Sequence, residues 1–358
     1  MASRIRIFDH YMKLIAELNN IPATPRSWLL NEAGRCEFSM STSDPKCTLT
    51  NLQFGNLIHV EHIPTIDENG DRKGKLPDWV GIILRPRNWD LGVCHVTAYS
   101  AETILKFRAM PFLTVTGTPR NVFNQILNEV HKTANNITFQ PGLIDDLPFT
   151  FADDLKTNAY DHIIKLTKDS GMDWSITGDI NNQGNLDLYA NLYIRKGTIT
   201  PLRLQDSNFE LTNLNTELQA PLLSEQGTPI NQVFGYSQAN TPQSRLATGS
   251  VVNQDAYDNW GPLQINQVFV GKHDQSSIYN ASVNRVNEFS DEGWIVQRTA
   301  LDRSDTFSFC DIGSIATIKE HNAGFNPNGG IGFERQARII GMSYNDMSNK
   351  CPLNIEVI

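Results

Sequence analysis

Two stretches far apart in this chain follow one pattern, and any fold must account for both. The first is Gly55-Asn56-Leu57-Ile58-His59-Val60-Glu61; the second is Gly313-Ser314-Ile315-Ala316-Thr317-Ile318-Lys319. Each follows an apolar residue, Phe54 or Ile312, and each leads through a polar loop into two more strand-like runs. After the first come residues 79–85 and 93–99; after the second come 337–343 and 353–358. A β unit used twice in one chain predicts a ring builder, because two like units per subunit double the apparent symmetry of an oligomer.

The bulk numbers bound the rest. A chain of 358 residues holds roughly two or three domains. A hydrophobic content of 40% is ample for packed cores and argues against wholesale disorder. With 30 basic and 39 acidic residues the net charge is −9, which repels phosphate backbones and argues against sequence-specific nucleic-acid binding. The same acidity suits a passage that polyanions cross without sticking. The cysteines are Cys36, Cys47, Cys94, Cys310 and Cys351, an odd set without a CxxC pair. That predicts reduced, mostly buried thiols rather than a disulfide framework or a cysteine-based zinc site. Arg4, Arg6, Asp9, Lys13 and Glu17 interrupt any apolar leader, so no signal peptide is expected. No apolar run reaches the roughly 18 residues of a membrane-spanning helix.

Along the chain, residues 1–115 are read as mostly β. Ile5 and Ile7 alternate with Arg4 and Arg6, and Cys36 to Met40 alternates likewise, while Met12 to Leu18 fits strand or helix. Thr65 to Leu76, with Asn69-Gly70, is a polar hairpin-type loop, and Ser100 is placed to cap a short helix through Phe107. Thr118-Pro119 starts a helix carrying Val122, Phe123, Ile126, Leu127 and Val130. A second helix is predicted from Asp154 to Ser170, stopped by Gly171, and Asp173 to Thr177 with Asn185 to Tyr189 make a hairpin. Residues 201–240 return to β character through Phe209, Leu211, Leu214 and the run Asn231 to Tyr236. The expected class is α+β, mostly β. Residues 1–115 form a first β-barrel domain and 116–205 a small α+β domain. Residues 206–239 with 306–358 form a second barrel, split by a loop-rich insertion at 240–305.

Chemistry-bearing motifs are few. In a strand, His59-Val60-Glu61-His62 sends His59 and Glu61 to one face and His62 to the other, which is poor metal geometry. Gly329-Gly330-Ile331-Gly332-Phe333 precedes a strand rather than opening a helix, so it reads as a hairpin tip and not a phosphate cradle. Asp145-Asp146 and Asp153-Asp154 are adjacent pairs, whereas glycosidases need acids facing across a cleft; Asp153 or Asp154 is expected as a helix cap. There is no GxSxG. Trp260, Tyr279 and Trp294 in the insertion fit packing or an interface, with a sugar-binding surface as the competing reading. No catalytic, cofactor-binding or metal residue is assigned, and no cofactor is expected.

The order of these elements resembles the phage tail baseplate hub family, of the contractile-tail and siphophage tail-tip type. The elements carrying it are the strand Ile5 to Phe8, the run Gly34 to Phe38, the strand Gly55 to Glu61 and the pair 79–85 and 93–99. Ser100 to Arg108, the helices near 119–133 and 154–170, and a second barrel closing over 312–358 complete it. The resemblance covers nearly the whole chain and rests on architecture rather than on any single motif. It implies a homotrimer whose six barrels make a pseudo-hexameric ring, matching the tail tube or distal tail protein above and a spike or central fibre below. Tape-measure protein and DNA would pass through the lumen without specific binding. It implies no enzyme activity, any peptidoglycan hydrolase lying on another chain, and a place in the virion tail after assembly in the host cytoplasm. A carbohydrate- or receptor-binding tail component and a cell-wall hydrolase are the alternatives.

Overall fold

Strict alternation builds the N-terminal region. In β4 (Arg35–Ser41), Cys36, Phe38 and Met40 point inward while Arg35 and Glu37 face water, the period-two pattern of a sheet wet on one side. The computed structural model describes all residues except 1–2, 22–23, 65–73, 111–112, 134–135, 149, 156, 206–222, 227–229, 239–243, 270–271, 273, 290–292, 302–305, 326–330 and 348–349. The neighbours of β4 are β1 (Ser3–Phe8), β2 (Leu14–Ile21), β3 (Arg26–Leu29), β5 (Leu57–His62), β6 (Trp79–Asp90) and β7 (Val93–Ser100). They pair in the order β3-β4-β7-β6-β5-β1-β2 and curl around a core that includes Ile5, Ile7, Phe38, Ile58, Val60, Trp79 and Val96. The ambiguous stretch after Met12 is a strand. The Asp9 carboxylate accepts from the amides of Tyr11 and Lys13, Met12 takes a φ of 62°, and β2 follows this tight turn.

A 3-10 helix, Ala101–Phe107, leads into the middle block. Ser100 does not cap it with its side chain; its hydroxyl instead accepts from the amide of Gly34 at 2.8 Å. The block contains β8 (Leu113–Gly117), α1 (Pro119–Thr133), β9 (Phe139–Ile144), β10 (Phe151–Leu155), α2 (Ala159–Ser170), β11 (Asp173–Ile180) and β12 (Leu186–Tyr193). Helix α1 begins at the expected proline, and α2 ends on Gly171 in the left-handed conformation, φ 70°. Helix α2 starts later than Asp154, because residues 151–155 are drawn into antiparallel pairing with β8. Its N-cap is Asn158, whose side chain accepts from the amide of Asp161, and not Asp153 or Asp154. Strands β11 and β12 form the expected hairpin, and β9 joins β12 in parallel.

Next come β13 (Ile199–Gln205) and β14 (Leu223–Gln226). The inserted unit has β15 (Gln232–Ser237), β16 (Ala247–Val252), α3 (Gln254–Trp260), β17 (Gln264–Phe269) and α4 (Gln275–Phe289), with its own sheet in the order β16-β15-β17. It docks on α2 through a buried ion pair, Lys272 to Asp169 at 2.6 Å, with Lys272 also over the Phe151 ring. The chain then completes the second β unit with β18 (Gly293–Leu301), β19 (Ile315–Phe325), β20 (Ile331–Tyr344) and β21 (Lys350–Val357). Strands β13 and β18 pair into the large sheet, whereas β15 belongs to the small one. Phe209, Leu211 and Leu214, the Asn69-Gly70 loop and the tip at 329–330 lie outside the described residues.

The repeat is visible bond by bond. Gly55 and Gly313 take φ of 91° and 89°, a region that glycine enters without strain. The Gly55 amide donates to the Ile83 carbonyl at 3.0 Å, and Gly313 to Ile339 at 2.7 Å. In return Ile83 donates to the Asn56 carbonyl and Ile339 to that of Ser314, both at 2.9 Å. From there the strand order β3-β4-β7-β6-β5 is matched by β14-β18-β21-β20-β19. The units differ beyond this: β1 is antiparallel to β5, but β13 is parallel to β19.

The expectation of two closed barrels needs correction. Among the described residues neither ladder closes on itself. The two curled units instead fuse into one continuous sheet, because β3 of the first unit pairs with β20 of the second. The β20 edge beyond β19 is hydrogen-bonded by β3 rather than by its own unit, which uses up the groups that closure would need.

Candidate functional site

The feature that separates this chain from two tethered domains is the seam between its repeats. Strand β20 is long enough to serve two neighbours along one edge. Its first part pairs with β19, as at Arg338 opposite Ile315. Past a bulge at Ile340 it pairs antiparallel with β3: Gly341 opposite Leu29, Met342 opposite Trp28, Ser343 opposite Ser27 and Tyr344 opposite Arg26. The Leu30 amide continues the seam to the Ile340 carbonyl at 2.9 Å.

Buried charge pins that register. Arg26 and Asp346 form an ion pair at 3.2 Å with both side chains fully enclosed. Arg26 also donates to Ser3 Oγ at 2.9 Å and to the Thr24 carbonyl at 3.0 Å, and its guanidinium lies 4.9 Å from the Tyr344 ring centre. Asp346 accepts from Ser3 Oγ at 2.6 Å and from the Thr24 amide at 3.1 Å. Such a pair gains little net stability over an apolar packing, but losing one partner is costly, so its effect is to fix one register. A second lock ties the middle block to both repeats. Asp173 pairs with Arg338 of β20 and accepts from the Asn31 side chain at 3.1 Å, while Asn31 accepts from the Trp174 amide at 2.8 Å.

His59 and His62 straddle this region. As the strand reading requires, they do not converge. His59 Nε2 lies 3.4 Å from Asp78, whereas the His62 ring packs edge-on against Phe307 and Tyr344 in the second repeat. Burial, and then the Arg26 charge, push the His62 imidazole down to about 4, so it is neutral at neutral pH. Among the described residues no group of three or more His, Cys, Asp or Glu is arranged to hold a metal ion. The adjacent acids are used structurally: Asp146 accepts from Thr118 Oγ1 and the Arg120 amide, and Asp145 accepts from the Ile194 amide. Asp153 and Asp154 lie in β10. The aromatic residues of the insertion are dispersed, with Trp260 in α3, Tyr279 on α4 and Trp294 in β18 of the large sheet. All five cysteines are free thiols. No described helix is long and apolar enough to cross a membrane.

The counterpart of the seam in the first repeat is bare. Strand β6 pairs with β5 only from Trp79 to Ile82, and past its own bulge Arg87–Asp90 pairs with β7 alone among the described residues. Trp89 is 61% exposed there, and Leu91, at the Leu91-Gly92 turn, is 98% exposed. The Arg87 guanidinium is anchored, donating to the Leu52 carbonyl at 2.7 Å and lying over Phe54, but its buried Nε has no hydrogen-bond partner among the described residues. At the far end of the sheet, β14 pairs among the described residues with β18 only. Among the described residues the molecule therefore carries one sealed seam and both halves of a second, unsealed one.

No protein-family model matches the chain, and no curated protein matches it in sequence. Solved structures do match it along its length. It is similar to prophage tail protein gp18 from Listeria monocytogenes, with TM-score 0.60 and 11% identity over 98% of this chain and 94% of that one. It is equally similar to the 43 kDa tail protein of prophage MuSo2 from Shewanella oneidensis, with TM-score 0.60 and 10% identity over 100% and 98% of the two chains. A third likeness is to the E. coli c3393 protein, described as a type VI secretion component structurally similar to T4 phage tail proteins gp27 and gp5. That match has TM-score 0.50 and 10% identity over 94% of this chain and 73% of that one. This chain, with its doubled strand units fused edge to edge and bridged by an α+β block, thus shares the fold of these phage tail proteins.

Proposed function

We propose that this chain is a structural hub at the distal end of a phage tail, where three copies form a ring of six barrel-like units. The observation that carries the reading is the repeat itself. One chain holds two units with matched registers, already joined by a seam whose two halves recur, unjoined, at Arg87–Asp90 and β14. A repeated heterologous contact closes into a ring when its rotation allows, and here each chain supplies two steps of it. Closure also removes the exposed edges that would otherwise promote aggregation.

Such a ring presents near-sixfold symmetry to a tail tube or distal tail protein and threefold symmetry to a spike or central fibre. Tape-measure protein and DNA pass through its lumen, and the chain's net charge of −9 disfavours sticking of the polyanion. The role is structural, and its place is the virion tail. Sedimentation or light scattering tests this reading. A mass three times the 40.2 kDa chain supports the ring, and a single-chain mass at every concentration contradicts it.

A further inference from the structure

The matched registers allow the missing seam to be written residue by residue. Ile83 and Ile339 are equivalent through the glycine turns, and they face Ala98 and Ile355. Two positions along, Val96 and Leu353 are therefore equivalent, and they face Arg87 and Met342. On the other side, Cys36 faces Ala98 and Val296 faces Ile355, so β4 and β18 are in the same register. Arg26 faces Cys36 and Leu223 faces Val296, which makes Leu223 the counterpart of Arg26, Ser224 of Ser27 and Glu225 of Trp28.

Resting on the ring reading above, we infer that β14 of one copy pairs antiparallel with the outer half of β6 of the next, in the register of the internal β3–β20 seam. Met342 opposite Trp28 becomes Arg87 opposite Glu225 of the neighbouring copy. Ser343 opposite Ser27 becomes Asn88 opposite Ser224, and Tyr344 opposite Arg26 becomes Trp89 opposite Leu223. At these three of the seam's four positions the opposed residues are chemically matched: basic with acidic, polar with polar, aromatic with aliphatic. Directly opposed pairs of these kinds are favourable in antiparallel sheets. Two features of β6 fit an incoming strand. Trp89 stands in water, and the buried Nε–H of Arg87 lacks an acceptor among the described residues. The occupant is a second copy of this chain, because among the described residues the only strand equivalent to β3 is β14, which in its own chain ends the path of the large sheet.

Cysteine pairing tests the register in the full-length protein. Opposed residues in an antiparallel pair have Cα atoms about 4.5–5.5 Å apart, within disulfide range. Trp89→Cys and Leu223→Cys proteins, mixed and oxidised gently with oxidised glutathione, should form a covalent heterodimer, and the double variant a covalent trimer. Asn88→Cys mixed with Leu223→Cys is the off-register control, and unsubstituted protein gives the background of the native thiols. In parallel, Arg87→Glu should weaken trimer formation by about tenfold or more, and Glu225→Arg in the same chain should restore it. Trimers that fail to cross-link, or that cross-link equally in the control, overturn the seam while leaving the ring. Protein that stays monomeric under all conditions overturns both.

Discussion

The seam between β3 and β20 and the bare outer half of β6 occupy equivalent places in two copies of one unit, yet they are finished in opposite ways. The sealed seam encloses an arginine and an aspartate in a hydrogen-bonded pair, with the guanidinium over a buried tyrosine ring. The bare edge shows a tryptophan and a leucine to solvent. On the proposed ring, the contrast follows from when each edge is covered. A seam formed within one chain is never open in the folded state, so it can bury ions, which fix register at little net gain. An edge covered only on assembly must be tolerated in water first, and apolar or surface-charged residues meet that condition where a buried ion pair would not. The same division separates the outer strands. The first unit extends through antiparallel β1 and β2, while the second takes the parallel β13, the strand that follows the middle block.

Four sets of substitutions probe the contrast. The largest effect is expected at the sealed seam. Asp346→Ala strands the enclosed Arg26 charge and should lower unfolding free energy by about 3–5 kcal/mol in denaturant titrations. An Arg26→Met, Asp346→Leu double variant should recover most of that loss, and equal loss in both proteins would show that packing rather than charge is responsible. Second, His62 has its folded pKa near 4 against an ordinary 6.5, and Arg26, Asp346, Lys75 and Asp78 are the charges acting on it. Between these values the unfolded chain binds a proton that the folded one refuses. Its contribution is therefore complete above pH 6.5 and is lost as pH falls towards 4, by about 3 kcal/mol in all. His62→Phe should flatten the stability profile in that window; an unchanged slope would assign it to other groups.

Third, the paired glycines offer an internal control. A methyl at Gly55 meets nothing within 4 Å, so Gly55→Ala should cost only the positive-φ strain, about 1–2 kcal/mol. At Gly313 the same methyl would lie 2.4 Å from the Lys196 carbonyl oxygen, and Gly313→Ala should cost distinctly more; melting temperatures compare the two directly. Finally, Trp89→Lys should leave monomer unfolding within about 0.5 kcal/mol of the parent while abolishing assembly. A large loss of monomer stability would show that the β6 edge is already engaged within its own chain.

The repeat was legible in the sequence because its signals are local: a glycine before an alternating run, then two further runs. The middle hairpin and the α1 start were legible for the same reason. What escaped was non-local. Strands β3 and β14 are four residues each, too short to show a period, and they are strands only because other strands flank them. Asp153-Asp154 has the look of a cap, but pairing with β8 outweighed that propensity. Arg26 and Asp346 are separated by 320 residues, and no spacing rule connects them. The seam that replaced two closed barrels follows from the same strands, so it too was invisible until β20 could be seen to serve two neighbours.

The most direct test is to image the purified protein by electron microscopy. If the second seam repeats the first, class averages will show a ring of six similar lobes related in threes, with the insertions marking every second lobe. Averages showing single chains, or trimers in contact elsewhere with the Arg87–Asp90 edges open, would contradict the account.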